Sequence, residues 1–174
     1  EAVPLLIASL NDEDGFVRAA VAAALGEFKS DLCLAPLSNA LLDRQIETRL
    51  AAIQSLGKLG NPRAKSALLK CLRDSAAAVR QAAAATLKSL GWEPSTPEER
   101  AVAAIAVGRY SQAADEGGKA FEPLVAALRG DTFYQRKSAV EALAQLDDER
   151  ALRSEEHTSE LQSPCNLVCR LLLE

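Results

Sequence analysis

Asp12–Phe28 reads D-E-D-G-F-V-R-A-A-V-A-A-A-L-G-E-F. An acidic turn opens it. An alanine-rich run follows, with apolar residues at steps of three and four: Val17, Ala20, Val21, Ala24, Leu25 and Phe28. That spacing predicts a helix with one buried stripe. The stretch returns 31 residues on as Asp43–Leu59 and again as Asp74–Leu90. Six columns keep the step: Leu6/Leu37/Leu68, Leu10/Leu41/Leu72, Asp12/Asp43/Asp74, Arg18/Arg49/Arg80, Leu25/Leu56/Leu87 and Phe28/Leu59/Leu90. A shift of 56 then carries Arg80 to Arg136, Leu68 to Leu124, Leu72 to Leu128, Leu87 to Leu143 and Leu90 to Leu146, so a fourth copy follows a 25-residue insertion.

Each copy reads as a short helix and a longer one. The short helices are expected at Ala2–Leu10, Leu32–Leu42, Arg63–Arg73 and Lys119–Arg129, and the long ones at Gly15–Phe28, Gln45–Leu59, Ala76–Leu90 and Thr132–Leu146. The copies therefore run over about 2–29, 31–60, 62–91 and 118–147, with a fifth beginning over 148–152. One pair cannot bury its own stripe, so the copies are expected to stack into an all-α solenoid. Gly60 and Gly91 fall just past helix ends, where glycine caps. In the insertion, 92–117, Thr96-Pro97-Glu98-Glu99 has capping-box form. It predicts a helix over Pro97–Arg109 with Val102, Ile105 and Ala106 inward. A short piece is expected over Tyr110–Glu116, and Gly117-Gly118 breaks the chain.

Composition agrees. Of the 174 residues 48% are hydrophobic but only 4% aromatic, and alanine and leucine carry the apolar load. That favours close-packed helices over a sheet. No run of about 18 apolar residues is present, so no membrane partner is expected. The net charge of −4 offers no footprint for nucleic acid. The chain opens at Glu1, without Met and already inside a helical pattern, and is read as a fragment.

The pattern D-x-x-x-x-V-R-x-A-A-x-x-A-L-G resembles the short HEAT-like repeats named after the phycobilin lyases. Asp12–Gly26 fits it closely, Asp74–Leu90 fits with Lys88 in place of the glycine, and Asp43–Gly57 has Thr48 where valine is usual. Trp92-Glu93-Pro94, Thr96–Ala101, Gly117 and Pro123-Leu124 also resemble a segment of bacterial and archaeal proteins of this class. The resemblance covers about Ala2–Leu152 and implies the α-solenoid, but leaves function open. Phycobilin lyases use such repeats to hold a linear tetrapyrrole. HEAT-like iron hydroxylases need His-Glu ligands, and no histidine precedes His157; HEAT-like DNA glycosylases need a basic concave face.

Arg153–Glu174 breaks the repeat. It resembles the conceptual translation of a sequencing adapter and is set aside as non-native. It holds the sole His157, Cys165 and Cys169. Without its four acids and two bases, 20 acidic residues stand against 18 basic, a net of −2.

In the rest, Cys33 and Cys71 occupy non-equivalent positions and read as buried small hydrophobes, which suits a reducing, cytoplasmic setting. The pairs Asp12/Arg18, Asp43/Arg49, Asp74/Arg80 and Asp131/Arg136 read as a structural ladder, the aspartate capping its turn and the arginine reaching back to it or to the adjacent copy. Trp92, Tyr110, Phe133 and Tyr134 read either as partner anchors or as plugs between the insertion and its neighbours. The acid clusters Asp12-Glu13-Asp14, Asp115-Glu116 and Asp147-Asp148-Glu149 read as solvated turns. No phosphate loop or nucleophile elbow is present. The expectation is a non-enzymatic scaffold without metal, cofactor or catalytic residues. It would bind a protein or peptide on a concave surface through Gln54, Gln81, Lys88, Lys137 and Glu141. The alternative is a chromophore lyase or a lyase accessory chain.

Overall fold

The computed structural model describes residues 2–130 and 132–154, the last eight of these for their backbone only. They are all-α and fall into two compact units, Glu1–Glu93 and Pro94–Glu174. The first unit holds three helix pairs: α1 (Ala2–Ser9) with α2 (Gly15–Leu25), α3 (Leu34–Ala40) with α4 (Ile46–Leu59), and α5 (Lys65–Cys71) with α6 (Ala77–Ser89). The expected first helices of copies two and three each begin as a 3-10 turn, Asp31–Cys33 and Pro62–Ala64. The long helices α2, α4 and α6 pack side by side in sequence. Leu25, Leu56 and Leu87 are fully buried at equal points of the stack, as are Leu37 and Leu68 on the short helices.

Glycine acts in two ways here. Gly60 and Gly91 take left-handed φ of 63° and 69° and end α4 and α6, as the sequence predicts. After α6 the Gly91 amide donates to Lys88 O at 3.0 Å and the Trp92 amide to Leu87 O at 2.9 Å, a Schellman closure. Copy one has Lys29 in that column, held at φ 27°. Gly26 stands instead where two copies meet. A Cβ there would lie 2.5 Å from Ser55 Oγ and 2.9 Å from Ser55 Cα. Gly26 is therefore a contact residue, a role that its place near a helix end conceals.

The second unit holds α7 (Pro97–Ala106), α8 (Tyr110–Ala114), α9 (Phe121–Ala127) and α10 (Phe133–Ser154). The capping box at Thr96 is complete: its hydroxyl accepts the Glu99 amide at 3.2 Å, and the Glu99 carboxylate accepts the Thr96 amide at 3.2 Å. Hydrogen bonds from the Ser95 amide and hydroxyl, with that amide, keep Glu99 ionised below the usual carboxylate range. Val102, Ile105 and Ala106 are buried as expected. The helix stops at Ala106, short of Arg109, because Gly108 at φ 80° caps it and the Arg109 amide returns to Ala104 O at 2.8 Å. α10 runs unbroken to Ser154, so 148–152 continues this helix and does not open a fifth copy. The remainder of the expected non-native tail, with His157, Cys165 and Cys169, lies outside the described residues.

In the stripe of α2, Val21 and Leu25 are buried but Val17, Ala20 and Phe28 are exposed. The periodicity marks both core positions and positions that the preceding copy covers in copies two and three. Thr48, the counterpart of Val17, is fully buried and donates its hydroxyl to Gly15 O of copy one at 3.2 Å.

Candidate partner-binding surface

The charged columns join consecutive copies. Arg18 donates from Nε to Asp43 Oδ2 at 2.6 Å and from Nη2 to Asp43 Oδ1 at 2.8 Å. Its Nη1 holds the carbonyls of Asp12 and Glu13, in the turn that precedes its own helix. Arg49 repeats this: Nη2 donates to Asp74 Oδ1 at 2.9 Å and Nη1 to Asp43 O at 2.8 Å. Its Nε lies 2.8 Å from Asp74 Oδ2, but the N–H does not point at that oxygen. Each aspartate also caps its turn, since Oδ1 of Asp12, Asp43 and Asp74 accepts the amide two residues on. The arginine thus reaches the next copy's carboxylate and its own turn's carbonyls. These pairs are largely shielded from water. The hydrogen bond, opposed by burial, keeps Arg18 protonated above its ordinary range and Asp43 ionised below the usual carboxylate range.

The last arginines of the column differ. Arg80 is 6% exposed, donates from Nη1 to the carbonyls of Asp74 and Ser75, and meets no carboxylate among the described residues; its Nε has no partner. Arg136 is exposed and donates from Nη1 to Gly130 O at 2.9 Å. Its expected partner, Asp131, lies outside the described residues. Two rungs of the expected ladder close within the first unit, Arg18 on Asp43 and Arg49 on Asp74.

The free surface of this stack is the outward side of α2, α4 and α6. Columns Ala23/Gln54/Ala85 and Phe16/Glu47/Ala78 are exposed throughout, and Gln81 and Lys88 extend the face on α6. Phe16, 73% exposed, is its largest apolar group. Sequence reasoning left Phe16 out of the candidate residues, although it shares a column with Tyr134 through the two repeat steps. In the second unit Phe133 and Tyr134 are exposed at 65% and 78% and meet edge to face with centroids 5.8 Å apart. Lys137 and Glu141 form an exposed i,i+4 pair at 3.5 Å. Trp92 is half-buried, its amide spent on closing α6.

Tyr110 is not a surface anchor. It is 6% exposed within a core made with Ala101, Ile105, Ala113, Ala114, Leu124 and Leu143. It opens α8 after the Gly108 turn, which directs the ring inward, and sequence alone shows no such turn. Beside it a cavity of about 700 Å3 is bordered by residues of 108–115 and of α10, among them Arg109, Asp115, Glu141 and Gln145. Ser111 Oγ donates to Gln145 Oε1 there at 3.4 Å. Cys33 and Cys71 are buried free thiols on α3's leading turn and α5. Burial pushes both up, Cys71 to about 11 with help from the charge of Asp74, so neither is an activated nucleophile. No cluster of three or more His, Cys, Asp or Glu side chains is placed to hold a metal among the described residues. No helix there is long and apolar enough to cross a membrane.

Residues 3–88 match the HEAT repeats family. This stretch of the chain is a HEAT repeat stack. The matched stretch spans the three pairs of the first unit, where the two closed rungs and Gly26 lie. No curated protein matches the chain. Among solved structures, the complex of CpcE and CpcF of phycocyanin lyase from Nostoc sp. PCC7120 matches over 86% of this chain, at 24% identity and a TM-score of 0.51. The match spans 66% of that chain, just under two thirds of its length. It shows a shared fold, an α-solenoid of HEAT-like pairs.

Proposed function

We propose that this protein is a non-enzymatic HEAT scaffold that binds a protein or peptide across the outward side of α2, α4 and α6. The observation that carries the reading is the side-chain size along that face. Ala23, Ala85 and Ala78 keep it low, Gln54 and Gln81 supply neutral hydrogen-bonding groups, and Phe16 offers one exposed ring. Such a face accepts an extended or helical segment closely, with an aromatic anchor at one side. Asp43 and Asp74 are engaged by arginines between copies. A photo-crosslinking residue placed at position 54 of the full chain, expressed in its host, tests this. The expected result is a discrete protein adduct that Phe16→Ala weakens. Absence of any protein adduct, with a small molecule retained by the purified chain, overturns it.

A second reading, a chromophore lyase or its accessory chain, is favoured by the fold shared with the phycocyanin lyase complex. Its natural seat is the cavity at α8 and α10. Among the described residues, the charged groups bordering that cavity are one cation, Arg109, and two carboxylates, Asp115 and Glu141. A linear tetrapyrrole with two propionates would meet more like charge than opposite charge there, which ranks this reading second. Mixing the chain with phycocyanobilin and finding a shifted absorbance band that Arg109→Ala removes would reverse the order.

A further inference from the structure

Charge is unevenly spread over the proposed binding face. Two columns there, Glu13/Arg44/Ser75 and Phe16/Glu47/Ala78, are exposed in all three copies, so their exposure does not depend on a copy's place in the stack. The Thr48 hydroxyl donates to Gly15 O at 3.2 Å, which sets Glu47, the residue before Thr48, beside Phe16, the residue after Gly15. The Gln45 side chain fills the space that a Cβ on Gly15 would need, and Arg44 Nη2 donates to Glu13 O at 3.2 Å. The start of α4 therefore lies against the start of α2, and Glu13, Phe16 and Glu47 share one exposed edge. Phe16 is 73% exposed. The Glu13 and Glu47 carboxylates meet no cation among the described residues. Asp12 and Asp14 add two exposed carboxylates in the same turn, each with one oxygen on a backbone amide. Arg44 is the exposed cation at this edge, and its guanidinium is held on the Glu13 carbonyl. At copy three the same two columns carry Ser75 and Ala78, without charge.

We infer that the segment bound on this face carries an arginine that lies on the Phe16 ring with its guanidinium between Glu13 and Glu47. The inference rests on the peptide-binding reading and adds the chemistry of the partner. An apolar side chain on Phe16 would strip water from the two carboxylates and return nothing, and an acidic one would meet like charge. A guanidinium is attracted to the face of the ring and presents N–H groups along its edge to carboxylates on either side. An ammonium is a compact point charge without that flat fork, so lysine fits the edge less well. Because the charge falls away toward copy three, the basic part of the segment lies over copies one and two.

The test uses the isotope-labelled full chain, read by NMR, and two blocked peptides: Ala-Ala-Arg-Ala-Ala and its twin with citrulline, which keeps the shape of arginine without the charge. The arginine peptide should shift the backbone amide signals of Phe16 and Glu47 saturably, and the citrulline peptide should bind about tenfold more weakly. Glu13→Gln combined with Glu47→Gln should weaken the arginine peptide about fivefold, and Phe16→Ala about threefold, each at an unchanged urea midpoint. No shift at Phe16, equal response to the two peptides, or an affinity indifferent to the double glutamine variant overturns the inference. So does a lysine peptide that binds as tightly as the arginine one. The two readings fail separately. A protein adduct at position 54 that the double glutamine variant leaves undiminished overturns the arginine alone, and saturable arginine binding with no protein adduct from the host overturns the scaffold alone.

Discussion

Arg49 and Arg136 occupy one column of the repeat and live in different worlds. In the first unit the Arg49 side chain is 11% exposed, held between copies and fastened to Asp74. In the second unit Arg136 is exposed and donates to the carbonyl of Gly130. The second unit's bidentate pair is off the repeat register altogether: Arg100 donates from Nε and Nη2 to Glu116 at 2.7 and 2.8 Å, with the arginine side chain 45% exposed. Arg49, shielded between copies, is matched by a carboxylate, whereas exposed Arg100 and Arg136 are solvated and free of that demand. Arg80 is shielded as well and is held by the carbonyls of Asp74 and Ser75, so a rung needs the next copy's aspartate in place and not burial alone.

The largest effect that would break this comparison is steric. Gly26→Ala drives a Cβ into the Ser55 backbone and should destabilise by about 3 kcal/mol, read as a lowered urea midpoint at constant slope. Gly57→Ala meets only Thr86 Cγ2 at 3.1 Å, a side-chain contact, and should cost clearly less. Next comes the rung itself. Asp74→Ala leaves Arg49 buried without its carboxylate and should cost about 3 kcal/mol, while Arg136→Ala should stay within about 0.5 kcal/mol. Equal losses would show that burial between copies is not what separates the two arginines.

The third prediction concerns pH. Asp43 has its folded-state pKa held down by Arg18. Its contribution is therefore complete above the unfolded carboxylate value, about 3.9, and is lost as pH falls through the lower folded value. Thermal melts should lose stability most steeply below about pH 4, and Asp43→Asn should flatten that limb. Glu116 is lowered too, by Arg100, but its partner's exposure should make its share smaller and salt-sensitive. The smallest effect is at Lys29, which holds the positive φ that Gly60 and Gly91 take in the later copies. Lys29→Gly should stabilise by up to about 1 kcal/mol, read as a small rise in melting temperature.

Much of the architecture was legible before the structure. The 31-residue step placed the helix pairs, and local residue patterns placed the glycine caps at 60 and 91 and the capping box at Thr96. The candidate surface was legible only in part. Gln54, Gln81, Lys88, Lys137 and Glu141 are exposed as expected, Phe133 and Tyr134 also, but Tyr110 is core and Phe16 was passed over. An aromatic residue has the same identity inside and outside, and only the direction of the chain entering it, here the Gly108 turn, decides between them.

By itself the sequence determined that this is a HEAT-type stack and which columns face one another, because periodicity is a local property that each copy states again. Only the tertiary structure decided which member of each column is buried. It closed Arg18 on Asp43 and Arg49 on Asp74, left Asp12 open, set Gly26 against the Ser55 backbone, and carried α10 through the point where a new copy was expected. Burial depends on what lies over a residue, and in a stack of near-identical copies that is set by position in the stack and not by the residue's own letter.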